Sequence, residues 1–355
     1  MKKLTLICHV AAVLIAVLLG TLSSCNTIDD DLSDCGNDYQ LDYELKLVTN
    51  MTTELSTELT TVTEVGVANA LRNHLSDIFT DFAHDVDLSF YDTQKDSIRL
   101  QHDPHIMDDN QASYTLYLPM RQYMHLAVAN VIDNPLVSLK NDDYCHTSCL
   151  KQTAGKPGVG ADTISSHNTG IFTARLPMEV LEGVDQSFNV HLYMVNCAAS
   201  LVVDTVGSGL RDLRVLTTGF ATGFRIADST YIYSNRPPVV QATSVPSTTA
   251  GEWAFCSVNF PSPEDPATRT VIETEEPFVS SSSENSLWEI QVYATLPDGS
   301  ITETILYIND PLRAGQLKVL KAKANADGSM TPSDKRVGVS VILHWNSGGH
   351  WNPEL

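Results

Sequence analysis

Hydrophobic and polar residues alternate with period two near the start of this chain. Tyr39, Leu41, Tyr43, Leu45 and Leu47 interleave with Gln40, Asp42, Glu44 and Lys46, which predicts a strand with one buried face. The period then changes. Val67, Ala70, Leu71, Leu75, Ile78, Phe79 and Phe82 recur at helical spacing and predict an amphipathic helix whose apolar stripe belongs to a core. Strand patterns return over 86–91, 114–119, 123–131 and 171–176, with a polar loop expected over 141–168. A long apolar stretch, 188–206, opens the second half. Further strands are predicted over 213–216, 220–226, 253–260 and 288–296. Pro297-Asp298-Gly299 is a turn that returns 301–308 as a hairpin partner. Strands over 317–322 and 337–345 close the pattern, and Val337, Val339, Val341, Leu343 and Trp345 form one apolar face. The stretches 235–251 and 261–285, rich in Pro, Ser and acids, read as loops.

Many short strands, one or two short helices and no βαβ alternation predict an all-β chain of antiparallel sandwiches. The two halves are similar in length and each opens with a long strand. The expected division is 36–184 and 185–355, with the boundary inside 182–186.

The first residues follow a different logic. Lys2 and Lys3 precede an apolar run, 4–22, which ends at Leu22-Ser23-Ser24-Cys25. A positive head, an apolar middle and small residues mark a secretory leader, here expected over 1–24 with the cut between Ser24 and Cys25. Leu-Ser-Ser-Cys resembles the bacterial lipobox, which makes Cys25 the lipidation site and its covalent lipid the only attached group expected; no other cofactor is. A membrane span fits less well, because the run holds His9 and is followed by acidic residues. Each buried methylene contributes on the order of 0.8 kcal/mol, so two or more acyl chains anchor firmly where one does not. Residues 25–35 form an acidic tether with Asp29, Asp30, Asp31 and Asp34. It reads as a solvated linker, and it also resembles the surface-export signal of Bacteroidetes lipoproteins.

Charge narrows the partners. The formal net charge is −21, and loss of a leader carrying Lys2 and Lys3 makes it more negative. Such a chain is a poor ligand for nucleic acid or anionic lipid, so membrane attachment has to come from the lipid itself. Beyond Cys8 and Cys25, five cysteines remain: Cys35, Cys145, Cys149, Cys197 and Cys256. Export permits disulfides, and an odd number leaves at least one thiol over. A bridge from Cys35 to Cys145 or to Cys149 is expected, with the connectivity open. Cys145-His146-Thr147-Ser148-Cys149 lacks the second ligand cluster of a zinc site, so no metal is expected. No nucleophile elbow, phosphate loop or HExxH motif occurs, and no enzymatic activity is expected. His102 and His105 read as surface or core histidines, and Asn325-Ala326-Asp327-Gly328 as a hairpin turn lacking downstream calcium ligands.

Several segments carry a family resemblance. Asp31-Leu32-Ser33-Asp34-Cys35-Gly36, Tyr43-Glu44-Leu45, Val48-Thr49-Asn50-Met51 and Thr57-Glu58-Leu59 resemble the fimbrillin-associated anchor lipoproteins of Bacteroidales, as do Phe79-Thr80-Asp81-Phe82, Asp87-Leu88-Ser89-Phe90-Tyr91 and 123–129. The resemblance spans nearly the whole chain and is densest before Val203. It implies two tandem transthyretin-like β-sandwich domains. It also implies a subunit of a type V pilus, lipid-anchored and surface-exposed at the cell outer membrane, with the fimbrial stalk subunit as partner. In that family subunits polymerise by strand donation. Stalk subunits lose their lipidated N-terminal strand to an arginine-directed protease, whereas the anchor keeps it. No arginine lies between Cys25 and Leu71, the first being Arg72. The strand bearing Tyr39, Leu41, Tyr43, Leu45 and Leu47 is therefore expected to stay, fill its own groove and terminate the polymer. The strand bearing Val337, Val339, Val341, Leu343 and Trp345 is either the donor or an ordinary core strand. The alternative function is a surface glycan-binding lipoprotein, with Trp253, Trp345 and Trp351 as aromatic platforms.

Overall fold

The computed structural model describes residues 38–48, 58–59, 62, 65–80, 82–108, 111–152, 163–234, 237–264 and 286–344. The expected leader with Ser24, the expected lipidation site Cys25, the expected tether, Cys35, Trp345 and Trp351 lie outside these. Strand β1 (Asp38–Val48) and helix α1 (Val65–Ile78) come first. They are followed by β2 (Asp85–Asp92), β3 (Arg99–Ile106), β4 (Ser113–Pro119) and β5 (Gln122–Ala129). Short strands β6 (Val137–Lys140), β7 (Cys149–Gln152) and β8 (Thr163–Ser165) lead to β9 (Phe172–Glu179) and β10 (Gln186–Met194). Next are β11 (Cys197–Asp204), β12 (Asp212–Thr218), β13 (Gly223–Arg225), β14 (Thr230–Ile232), β15 (Val239–Gln241), β16 (Thr243–Val245) and β17 (Glu252–Asn259). The last five are β18 (Trp288–Thr295), β19 (Ile301–Ile308), β20 (Leu317–Ala324), β21 (Met330–Pro332) and β22 (Gly338–His344).

The chain is all-β with sandwich-like layers. A seven-stranded sheet runs β3-β2-β5-β9-β10-β1-β4 and a five-stranded sheet runs β16-β17-β11-β20-β21. A six-stranded sheet runs β22-β19-β18-β12-β15-β8, and a four-stranded sheet runs β14-β13-β7-β6. The five-stranded sheet is shared. Ala198 and Val202 of β11, with Cys256 and Val319, join the core of the seven-stranded sheet and α1. Cys197, Ala199, Leu201 and Val203, one residue out of step, join the core of the six-stranded sheet. Because successive strand residues point to opposite faces, a strand buried on both is largely apolar, as β11 is apart from buried Ser200. The four-stranded sheet covers the other face of the seven-stranded one, with Leu150 and Phe224 meeting Tyr91, Leu126 and Val128.

Several expectations change. The apolar stretch 188–206 is two strands in two sheets, β10 and β11, because Val195 and Asn196 carry the chain from one layer to the next. The boundary expected at 184/185 therefore falls before β10, which belongs to the first sheet through β1 and β9. The four-stranded sheet is antiparallel throughout, and the other three are mixed: β1–β10, β11–β20 and β15–β8 are parallel pairs. Such pairs need long crossovers, which local periodicity does not reveal. The expected loops 141–168 and 235–251 contain β7, β8, β15 and β16, each too short to establish a period. Helix α1 buries Val67, Leu71, Leu75 and Ile78 as expected. It ends at Ile78, so Phe82 lies past it and is 53% exposed.

Candidate assembly site: the first strand and the last

β1 is an interior strand. Leu41 to Val48 pair in parallel with Gln186 to Tyr193, and Asp38 to Glu44 pair antiparallel with Pro119 to Ser113. Its main chain has hydrogen-bonded neighbours on both sides. Leu41, Tyr43 and Leu45 are buried in the first core, and Tyr39 and Leu47 pack half-buried at its ends. Asp42, Glu44 and Lys46 face solvent. The alternation read from sequence thus matches inside and outside at every described position.

A polar contact lies within that buried face. The Tyr43 hydroxyl is 2.5 Å from His125 Nε2, and His125 Nδ1 is 3.1 Å from the Ser89 carbonyl. A carbonyl only accepts, so Nδ1 carries the proton; Nε2 of the neutral ring then accepts from Tyr43. Burial holds the His125 pKa down at about 4, which keeps the ring neutral, and Phe90 stacks on it at 4.3 Å between centroids. The strand is locked in register by this bond, because a one-residue slip would turn Tyr43 out to solvent. Periodicity marked Tyr43 as core but not its partner, since His125 lies on a distant strand.

β22 is the opposite case. It ends the six-stranded sheet and pairs only with β19 among the described residues. Val339 and Val341 lie opposite Leu306 and Thr304, on the core side. Val337 is buried there, yet Val339 and Val341 remain 42% and 45% exposed, and Ile342 on the other face is equally open. The apolar face expected for this strand is present but only its beginning is covered. Leu343 continues the strand, and Trp345 lies beyond the described residues.

The remaining candidates are structural. His102 sits on edge strand β3 and is 2.7 Å from the Asp87 carboxylate, while Pro104 occupies the same edge, where a missing N–H is tolerated. Asn325-Ala326-Asp327-Gly328 is a turn: the Asp327 carboxylate accepts from the Ser329 N–H, and Gly328 has φ +81°. Cys145, Cys149, Cys197 and Cys256 form no disulfide among the described residues. Trp253 packs half-buried against the second core, which leaves little of it to act as a platform.

A search of family models finds no match, and no curated protein matches. Solved structures do. The fimbrial anchor protein Mfa2 from Porphyromonas gingivalis aligns at TM-score 0.45 and 10% identity, covering 86% of this chain and 98% of that one. A proposed adhesin from Bacteroides ovatus aligns at TM-score 0.48 and 11% identity, covering 78% and 84%. A proposed polysaccharide-binding protein from Bacteroides thetaiotaomicron aligns at 0.45 and 8%, covering 81% and 91%.

Proposed function

We propose that this chain is a lipid-anchored fimbrial subunit that holds a fimbria to the outer membrane and ends its polymerisation. The observation that carries the reading is the position of β1. A strand with hydrogen-bonded neighbours on both sides and a buried Leu41-Tyr43-Leu45 face fills the slot between β4 and β10. A subunit in that state offers no empty slot there for a neighbour's strand. The absence of arginine from 25 to 71 supports retention, because an arginine-directed protease has no site at which to release β1. Lipid on Cys25 then tethers the retained strand to the membrane. The stalk contact falls to β22, whose open edge and uncovered Val339 and Val341 suit strand addition, with main-chain hydrogen bonds giving affinity and alternate side chains giving register.

Deleting the gene and immunoblotting cells and culture medium for the neighbouring fimbrial subunit tests this. Fimbriae shed into the medium, or abnormally long, are the expected outcome. Fimbriae that stay attached at unchanged length contradict the role.

A further inference from the structure

The seven-stranded sheet is not continuous. β9 and β10 pair only at Phe172 with Met194 and Thr173 with Tyr193. Beyond those positions β9 follows β5 as far as Glu179, while β10 follows β1 back to Gln186. The split opens on the outer surface of the sheet, and the hairpin β13–β14 stands along it as a wall. Between them is a cleft of about 560 Å³, within the ~300–1,000 Å³ typical of small-molecule sites.

The wall is fixed. The Tyr231 hydroxyl donates to the Val195 carbonyl at 3.1 Å, and its ring packs on Phe224 with centroids 4.8 Å apart. Ser229 is exposed at the hairpin tip. The floor offers Arg175 from β9 and, at alternate outward positions of β10, Asn189, His191 and Tyr193. Tyr193 is 59% exposed on the outward side of β10, while Val190, Leu192 and Met194 turn the other way into the core. An open aromatic face beside a guanidinium, an imidazole, a carboxamide and a hydroxyl matches a sugar: the ring takes the apolar face of a pyranose and the polar groups take its hydroxyls.

Charge narrows the ligand further. The lining includes Arg175 and His191 and, among the described residues, no carboxylate. Lys46 stands beside His191 across the β1–β10 pair, and Glu44, opposite Asn189, bounds this zone at its other end. Among the described lining residues Arg175 is the one permanently charged side chain, in a chain whose net charge is −21. A planar guanidinium suits a carboxylate, which it can hold through two parallel hydrogen bonds. We infer that this cleft binds an acidic oligosaccharide, with Arg175 taking a sugar carboxylate and Tyr193 stacking on a ring. Such a site gives the subunit a second contact, with surface or matrix polysaccharide, independent of fimbrial assembly.

The test is calorimetric titration of the full chain, in a detergent that carries no sugar headgroup. The probes are trigalacturonate, a hyaluronan tetrasaccharide and sialyllactose, with maltotriose as the neutral control. At least one acidic probe is expected to bind saturably, roughly tenfold more tightly than maltotriose, and to weaken as salt is raised. Arg175→Ala should weaken it roughly tenfold, and Tyr193→Ala by several-fold. Both side chains are exposed, so thermal unfolding should be unchanged and a loss of binding is not a loss of fold. Absence of saturable binding to all three acidic probes overturns the assignment. So does equal affinity for maltotriose, or indifference to Arg175→Ala.

Discussion

Tyr43 and His125, 82 positions apart in sequence, meet as a hydrogen-bonded side-chain pair within the buried face of β1. Tyr43→Phe keeps the ring and removes the hydroxyl, leaving the buried His125 Nε2 without its donor. The expected cost is about 1–3 kcal/mol, read as a lower urea midpoint at unchanged slope. A second histidine is treated the same way. His167 Nδ1 is 2.8 Å from the Asn196 amide nitrogen, whose oxygen accepts from the Ile171 N–H. Gln152 Nε2 stands 3.0 Å from His167 Nε2; with Nδ1 accepting, Nε2 of the neutral ring must donate, so the Gln152 amide has to turn its oxygen there. Burial pushes both histidines down to about 4 from an ordinary value of 6.5. Between those values the unfolded chain binds protons that the folded chain refuses. Stability is therefore complete above pH 6.5 and falls as the pH drops towards 4, by up to about 3 kcal/mol for each ring. Urea unfolding at intervals from pH 7 to pH 4.5 measures this, and a flat profile contradicts it.

The two terminal strands behave as opposites, and paired substitutions separate them. Leu41→Ala opens a void in a packed interior and should cost about 2–5 kcal/mol. Val341→Lys falls on a half-exposed edge position and should change stability by less than about 0.5 kcal/mol, while a charge on that edge blocks strand addition. The readout is unfolding midpoint against capture of the stalk subunit; a V341K protein that captures normally removes β22 from the contact. The same contrast explains what was legible from the residues. β1 alternates over nine positions, and its described inside and outside faces follow from that alone. β18 alternates as well, yet Glu289 and Tyr293 on its polar side are also buried, and in β19 Thr302 and Thr304 take core positions that periodicity gives to apolar residues. β7, β8, β15 and β16 are three or four residues long, below one clear period. β11 shows no alternation because both of its faces are buried, so the stretch containing it and β10 read as a single strand. The sugar-site candidate was hidden for another reason: Arg175 and Tyr193 lie on different strands, and only the splay of the sheet brings them into one hollow.

At the scale of the molecule, the shared five-stranded sheet ties the two halves together. Ala198 and Leu201, three residues apart on β11, belong to different cores. Neither half can lose its packing without exposing the other, so a single cooperative transition is expected. Scanning calorimetry should give matching calorimetric and van't Hoff enthalpies, whereas two resolved transitions would show independent domains. The parallel pairing of β1 with β10 has a further consequence, for kinetics. A chain that emerges N-terminus first presents β1 well before Ser113–Pro119, its first partner, and long before Gln186–Met194, and an amphipathic strand with an open edge is prone to aggregation. The first strand to appear thus completes its pairing only when β10, the later of its two neighbours, is made. Folding should be slow for its size, and most vulnerable in the interval before β10 arrives.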